Sequence, residues 1–169
     1  DGYTMLHTSS QHALLAGFNR LPYDPVRDFS PVTPAARTVG YVLGVHPSLP
    51  VRSVAHLIAL ARRSPGKLNY GTVGNGSVVH VVMEMLSAAA GIRMNSIQYK
   101  GMSQVVTDLG GGHIELAFFT TSNALGMAQQ GRMRPIGVSG ARRWKQLPDV
   151  PTIAEAGIAG FEFYAWFAF

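Results

Sequence analysis

From Tyr41 onward the apolar positions switch repeatedly between two periods. Tyr41 to His46 and Ile114 to Phe119 (IELAFF) are short apolar runs, and the second is near-continuous, as in a strand covered on both faces. Elsewhere apolar residues recur three and four positions apart. Val54, Leu57, Ile58 and Ala61 form one such series, Val79, Val82, Met83, Leu86 and Ala90 a second, and Val105, Val106 and Leu109 a third. Each marks one face of a helix. Helix stops and starts fall where these series need them. Ser53 and Ser77 stand at cap positions, Pro65-Gly66 and Gly91 stand at stops, and Gly110-Gly111-Gly112 ends the third helix.

Further strands are expected at Lys67 to Tyr70, Arg93 to Tyr99, Arg134 to Ser139 and Phe161 to Phe169, with a first short one at Tyr3 to Thr8. Ser9-Ser10 caps a short helix through Leu15. Leu21 to Ser30 reads as loop, and Phe29 to Gly40, broken by Pro31 and Pro34, as irregular extended chain. Thr120-Thr121-Ser122 precedes a helix over Asn123 to Gln130. Thr152 with Glu155 is a capping-box pair opening a helical turn to Ala156. Strand and helix thus alternate from Tyr41 to Ser139, which predicts an α/β fold with a mostly parallel sheet. Ligands of such sheets bind beyond the carboxyl ends of the strands. That rule selects three loops: Gly71 to Ser77, Tyr99 to Gly101, and Phe119 to Ser122.

The first loop carries the most chemistry. Leu68 to Gly91 (LNYGTVGNGSVVHVVMEMLSAAAG) reads as strand, glycine-rich turn and helix. A helix opening from such a turn gathers unpaired N–H donors at the positive end of its dipole, a suitable place for an anion. The glycine order is GxxGxG. It is not the GxGxxG of dinucleotide folds, and no Lys precedes Ser77 to complete a P-loop. A smaller anion such as a carboxylate remains. The same glycines also suit a tight turn without ligand, or close packing of the helix on its strand.

Composition narrows the classes. Of 169 residues, 47% are hydrophobic and 14% charged, a globular balance with a sparsely charged surface. The net charge of +5 and pI near 9.9 suit anionic partners without selecting one. No nucleic-acid-binding motif is present, so no nucleic-acid partner is expected. With no cysteines, disulfides, thiol nucleophiles and Cys-based zinc sites are excluded. The six histidines include no HExxH, and no metal or cofactor is expected. Ser77 and His80 are three apart, but no acid nearby orients the imidazole and no GxSxG surrounds Ser77, which disfavours a hydrolase. The aromatic set Phe161, Phe163, Tyr164, Trp166, Phe167 and Phe169 reads as hinge and core. No apolar run is long enough to span a bilayer. The chain opens at Asp1-Gly2 without an initiator Met and closes on an apolar run, so both ends are expected to be cuts through a longer chain.

Taken together, DGYTML (1–6), LPYDPVRDFSPV (21–32), NYGTVGNGSVVH (69–80), IQYKG (97–101), DLGGGHIELAF (108–118), LPDVPTIAEAGIAGFE (147–162) and the terminal WFAF are a specific set. The sequence resembles the substrate-binding proteins of tripartite tricarboxylate transporters, the Bug family, over essentially its whole length. The resemblance implies a periplasmic binding protein type II-like (Venus flytrap) fold, mostly domain two with part of domain one. Residues 1–40 would be partial domain one and crossover, 41–160 domain two, and 161–169 the crossover strand back. Family members carry a further strand and ligand loop before the equivalent of Asp1, and a further C-terminal stretch.

The resemblance also implies a function. The protein would be an exported, periplasmic, monomeric receptor, not an enzyme. It would close two lobes on a small organic carboxylate (di- or tricarboxylate, or aromatic acid) and deliver it to membrane permease subunits. The alternative is a receptor that presents its closed form to a sensor kinase. By resemblance, Thr72, Gly74, Asn75, Gly76 and Ser77 hold one carboxylate, Ser9 and Ser10 contribute from domain one, and Tyr99 and Lys100 sit beside the cleft. Two departures stand out. Val73 replaces a common Pro, and Phe119-Thr120-Thr121 stands where an Asp-Asn-Leu type of sequence is frequent. A missing acid disfavours a ligand amine, so a plain carboxylic acid is expected over an amino acid.

Overall fold

The computed structural model describes residues 4–18 and 20–169. In chain order its elements are β1 (Thr8–Ser9), α1 (Ser10–Phe18), β2 (Pro34–Arg37), β3 (Val42–Val45), α2 (Val54–Arg63), β4 (Asn69–Thr72), α3 (Val78–Ala90), β5 (Asn95–Gln98), α4 (Met102–Gly110), β6 (Leu116–Phe119), α5 (Thr121–Gln129), β7 (Arg134–Val138) and β8 (Trp166–Ala168). They build two sheets. A five-stranded sheet has the order β5-β4-β6-β3-β7, and a three-stranded one the order β1-β8-β2.

In the larger sheet β4 pairs parallel with β5 and β6, whereas β3 runs antiparallel to both β6 and β7. Four strands therefore share one direction, with β3 inserted in reverse between β6 and β7. The expectation of a mostly parallel sheet holds for direction but misses this strand. The reversal brings the start of β3, at Gly40-Tyr41, to the same edge as the carboxyl ends of the other four.

Alternation along β6 explains its unbroken apolar run. Leu116 and Phe118 join one core with Leu43, Leu57, Tyr70, Val82, Met83 and Leu86, beneath α2 and α3. Ala117 and Phe119 face the other way, into a second core with Val42, Val105, Leu109, Ala124 and Met127, beneath α4 and α5. Each fully buried Val, Leu or Met here contributes roughly 1.5–3 kcal/mol.

The helix signals held locally. Ser53 and Ser77 are N-caps, each accepting from the backbone N–H three residues on. Gly91 ends α3 in the left-handed region, at φ 60° and ψ 47°. The Thr152/Glu155 box is reciprocal, with Thr152 N–H donating to Glu155 Oε2 (2.8 Å) and Glu155 N–H to Thr152 Oγ1 (3.0 Å). It closes a turn rather than a helix.

Several boundaries moved. The strand expected at Tyr3 to Thr8 is β1, confined to Thr8–Ser9, and Asp1 to Tyr3 lie outside the described residues. Helix α1 runs to Phe18 instead of stopping at Leu15. Within the proline-broken stretch, Pro34–Arg37 forms an exposed edge strand with a register shift between Pro34 and Ala36. Strand β4 starts later than expected and carries Gly71 and Thr72 into the sheet. Helix α5 begins at Thr121, with Thr120 as a cap position that makes no side-chain cap bond. The expected strand over Phe161 to Phe169 is regular only at Trp166–Ala168.

The reason for that last change lies at Ser139, fully buried after β7. Its hydroxyl accepts from Tyr41 N–H (2.8 Å) and donates to Phe163 O (2.8 Å). Its backbone N–H donates to Tyr41 O (2.8 Å), and its carbonyl accepts from Phe163 N–H (2.7 Å). One serine thus ties both chain crossings between the sheets to β7. Thr38 and Ala165 add two bonds between those crossings, Thr38 N–H to Ala165 O (2.8 Å) and Ala165 N–H to Thr38 Oγ1 (2.9 Å).

Candidate functional site

The loop after β4 turns through two glycines with positive φ, Gly74 at 109° and Gly76 at 75°. Both angles are costly for a residue with a Cβ. At Gly76 a Cβ would also stand 2.9 Å from the Phe18 ring of α1, whereas at Gly74 it would meet nothing within 4 Å. Phe18 and His80 rings lie 6.0 Å apart, so the end of α1 packs on this loop.

The polar groups of the loop divide into committed and open ones. Thr72 is fully buried, and its hydroxyl lies 3.0 Å from Ser77 Oγ and 3.4 Å from Gly74 O. Ser77 N–H donates to Gly74 O (3.2 Å), and Ser77 Oγ accepts from His80 N–H (3.4 Å). Gly76 N–H donates to His80 Nδ1 (3.2 Å). The Asn75 side-chain oxygen accepts from Gln98 Nε2 (2.6 Å). Among the described residues, the backbone N–H groups of Gly74, Asn75, Val78 and Val79 have no acceptor. They gather at the N-terminus of α3, where a carboxylate's two oxygens would complete them.

His80 therefore has a role that the sequence did not show. Its imidazole faces the Gly76 amide and stacks near the Tyr70 ring at 6.4 Å, and only its backbone N–H meets the Ser77 hydroxyl. A Ser–His nucleophile pair is not formed. Below it, Tyr70 is buried and donates to Glu84 (2.6 Å); burial and this carboxylate push its phenol pKa upward. The sequence showed Ser77 and His80 three apart, but not that the ring would meet the Gly76 amide instead.

The other expected residues separate. Lys100 is exposed at the same sheet edge, and its backbone N–H donates to Gln104 (3.0 Å). The Tyr99 hydroxyl turns to α4 and donates to Asp108 (2.7 Å), with its pKa pushed up to about 12 by burial and then by that carboxylate. Phe119, expected at the site, is fully buried in the second core, because the β6 alternation points it away from the cleft edge. Thr120 is exposed and Thr121 half-buried, with Thr120 Oγ1 3.2 Å from Ser122 Oγ. Ser9 lies in β1 opposite Phe167. Ser10 begins α1, and its buried hydroxyl has no hydrogen-bond partner among the described residues. A nine-residue helix separates Ser10 from Phe18 by about 12 Å, so the contact with the Gly76 loop is made by the far end of α1.

A family model described as the tripartite tricarboxylate transporter family receptor matches residues 1–169. A UPF0065 protein from the tcbD-tcbE intergenic region of Pseudomonas sp. (strain P51) is 36% identical over 168 residues, 98% of this chain and 50% of its own length. Rpa4515 of R. palustris, solved with adipate, superposes with a TM-score of 0.85 at 37% identity, over 99% of this chain and 56% of that one. The periplasmic binding protein BugD gives a TM-score of 0.87 at 26% identity, over 99% and 56%. The chain spans about half the length of the curated relatives it matches.

Proposed function

The chain belongs to the tripartite tricarboxylate transporter receptor family, a family of solute receptors and not of enzymes, and on that premise we propose that it captures a small organic carboxylate in the periplasm. Capture proceeds by closure of two lobes, and the solute passes to membrane permease subunits. Residues 41–160 form the second lobe, 1–40 part of the first with its crossover, and 161–169 the return. The two separate sheets, joined through the Ser139 and Thr38–Ala165 bonds, support that division.

The observation that carries the reading is the set of open N–H groups at Gly74, Asn75, Val78 and Val79. They are donors only, so they complement a carboxylate and reject an ammonium. Ser9 and Ser10 contribute from the first lobe, where the buried Ser10 hydroxyl has no partner among the described residues. Thr72 and Ser77 act by shaping the loop, and Lys100 supplies positive charge at its rim. With Thr120 and Thr121 rather than an acid on the adjoining loop, a plain carboxylic acid is favoured over an amino acid. Adipate, the compound solved with Rpa4515, is of that class.

Calorimetric titration of the intact receptor with adipate, citrate, benzoate and glutamate tests this. A plain acid should bind, and Gly74→Ala should weaken it at least roughly tenfold, because the strained φ moves the donors while the fold stays intact. Preference for glutamate would overturn the plain-acid assignment. Failure of every acid to bind would overturn the carboxylate reading itself.

A further inference from the structure

A concave site lies at the same edge of the large sheet, beyond β7. It encloses about 550 Å³ between the first crossing (Arg37, Thr38, Val39), the return (Glu162, Tyr164) and the loop after β7 (Gly140 to Gln146). That volume is within the roughly 300–1,000 Å³ of sites that hold ligands. Three strand spacings separate β7 from β4 in the sheet order, about 14 Å, so this groove is distinct from the Gly74–Ser77 loop.

Its lining is strongly cationic. Arg37, Arg142, Arg143 and Lys145 meet a single carboxylate, Glu162. That excess of three is more than half of the chain's net charge of +5. Two of the cations are engaged: Arg37 lies 4.3 Å over the Tyr164 ring, and Arg143 pairs with Glu155 at 2.9 Å. Arg142 and Lys145 are exposed and make no hydrogen bond or ion pair among the described residues. Trp144, half-buried beside them, gives the groove an apolar patch within its basic wall.

We propose that this basic groove docks a short acidic segment of a protein partner. The geometry favours a segment over a free small anion. Arg37 comes from the first crossing and Arg142, Arg143 and Lys145 from the loop after β7, so the positive charge comes from two separate segments of the wall. All four are exposed, and Arg142 and Lys145, which have no partner among the described residues, suit successive carboxylates along an extended chain. Electrostatic complementarity of this kind raises the rate of encounter and fixes orientation. None of this depends on which solute the Gly74–Ser77 loop takes.

The test is fluorescence anisotropy of a labelled oligoglutamate peptide with the intact receptor at low ionic strength, with oligoglutamine as control. The oligoglutamate should bind, and the oligoglutamine should not. The double variant Arg142→Glu/Lys145→Glu should weaken binding roughly tenfold or more, and added salt should weaken it in the native protein. Arg52→Glu/Lys67→Glu, a reversal of two exposed cations outside the groove, should leave it unchanged. Three results would overturn the proposal: no binding in the intact receptor, equal weakening by both double variants, or displacement of the peptide by inorganic phosphate at comparable charge concentration. The last would mark a small-anion site instead.

Discussion

Removing the Ser77 hydroxyl should loosen the α3 entrance by an amount that can be worked from its neighbours. In Ser77→Ala, His80 N–H loses its side-chain cap. Such caps are worth about 0.5–2 kcal/mol, and the 3.4 Å distance places this one near the lower end. The fully buried Thr72 hydroxyl loses its 3.0 Å partner and keeps only Gly74 O at 3.4 Å, a cost of about 1 kcal/mol. The expected total is about 1.5 kcal/mol, a substantial share of a typical stability of roughly 5–15 kcal/mol. Urea unfolding of native protein, Ser77→Ala, Thr72→Val and the double variant separates the two contributions. The double variant loses the hydroxyl–hydroxyl link only once, so it should be about 1 kcal/mol more stable than the sum of the singles predicts. Additivity within about 0.3 kcal/mol would show that the two hydroxyls do not support each other, and the loop would need another explanation.

Two further outcomes follow from local geometry. Ser139→Ala leaves the Tyr41 N–H and the Phe163 carbonyl without their side-chain partner in a buried site, so urea unfolding should show a loss of about 2–3 kcal/mol, and a loss under about 1 would refute the central role given to this serine. The Glu155 pKa is lowered by the Thr152 N–H and then by Arg143, so its stabilisation is present above the unfolded carboxyl value of 4.5 and is lost as pH falls through the lower folded value. The melting temperature of native protein should exceed that of Glu155→Gln at neutral pH, with the gap closing below pH 4.5; a gap independent of pH would contradict the assignment.

What the sequence determined by itself is the set of features carried by near neighbours. The Ser77 cap, the buried face from Val79 to Ala90 and the Gly91 stop depend on residues within one or two helical turns, and spacing reveals them. The Thr152–Glu155 box is likewise a matter of three positions. The run from Ile114 to Phe119 could be read as doubly buried because, after Glu115 at its start, period two leaves no polar residue for a solvent face. The sheet edge that carries the Gly74–Ser77 loop was legible too, because strand–helix alternation fixes where parallel strands end. Tertiary structure alone decided the rest. Strand β3 runs in reverse because it is threaded between β6 and β7, and no local pattern encodes that. Ser139 binds Tyr41 across 98 positions, the Tyr99 hydroxyl turns to Asp108 rather than to the cleft, and Phe119 points into the core. Arg37 and Arg142 line one groove only because the chain crossing meets the loop after β7. These contacts depend on which distant segments the sheet brings together, and a hydroxyl or guanidinium has the same local signature whichever partner it finds.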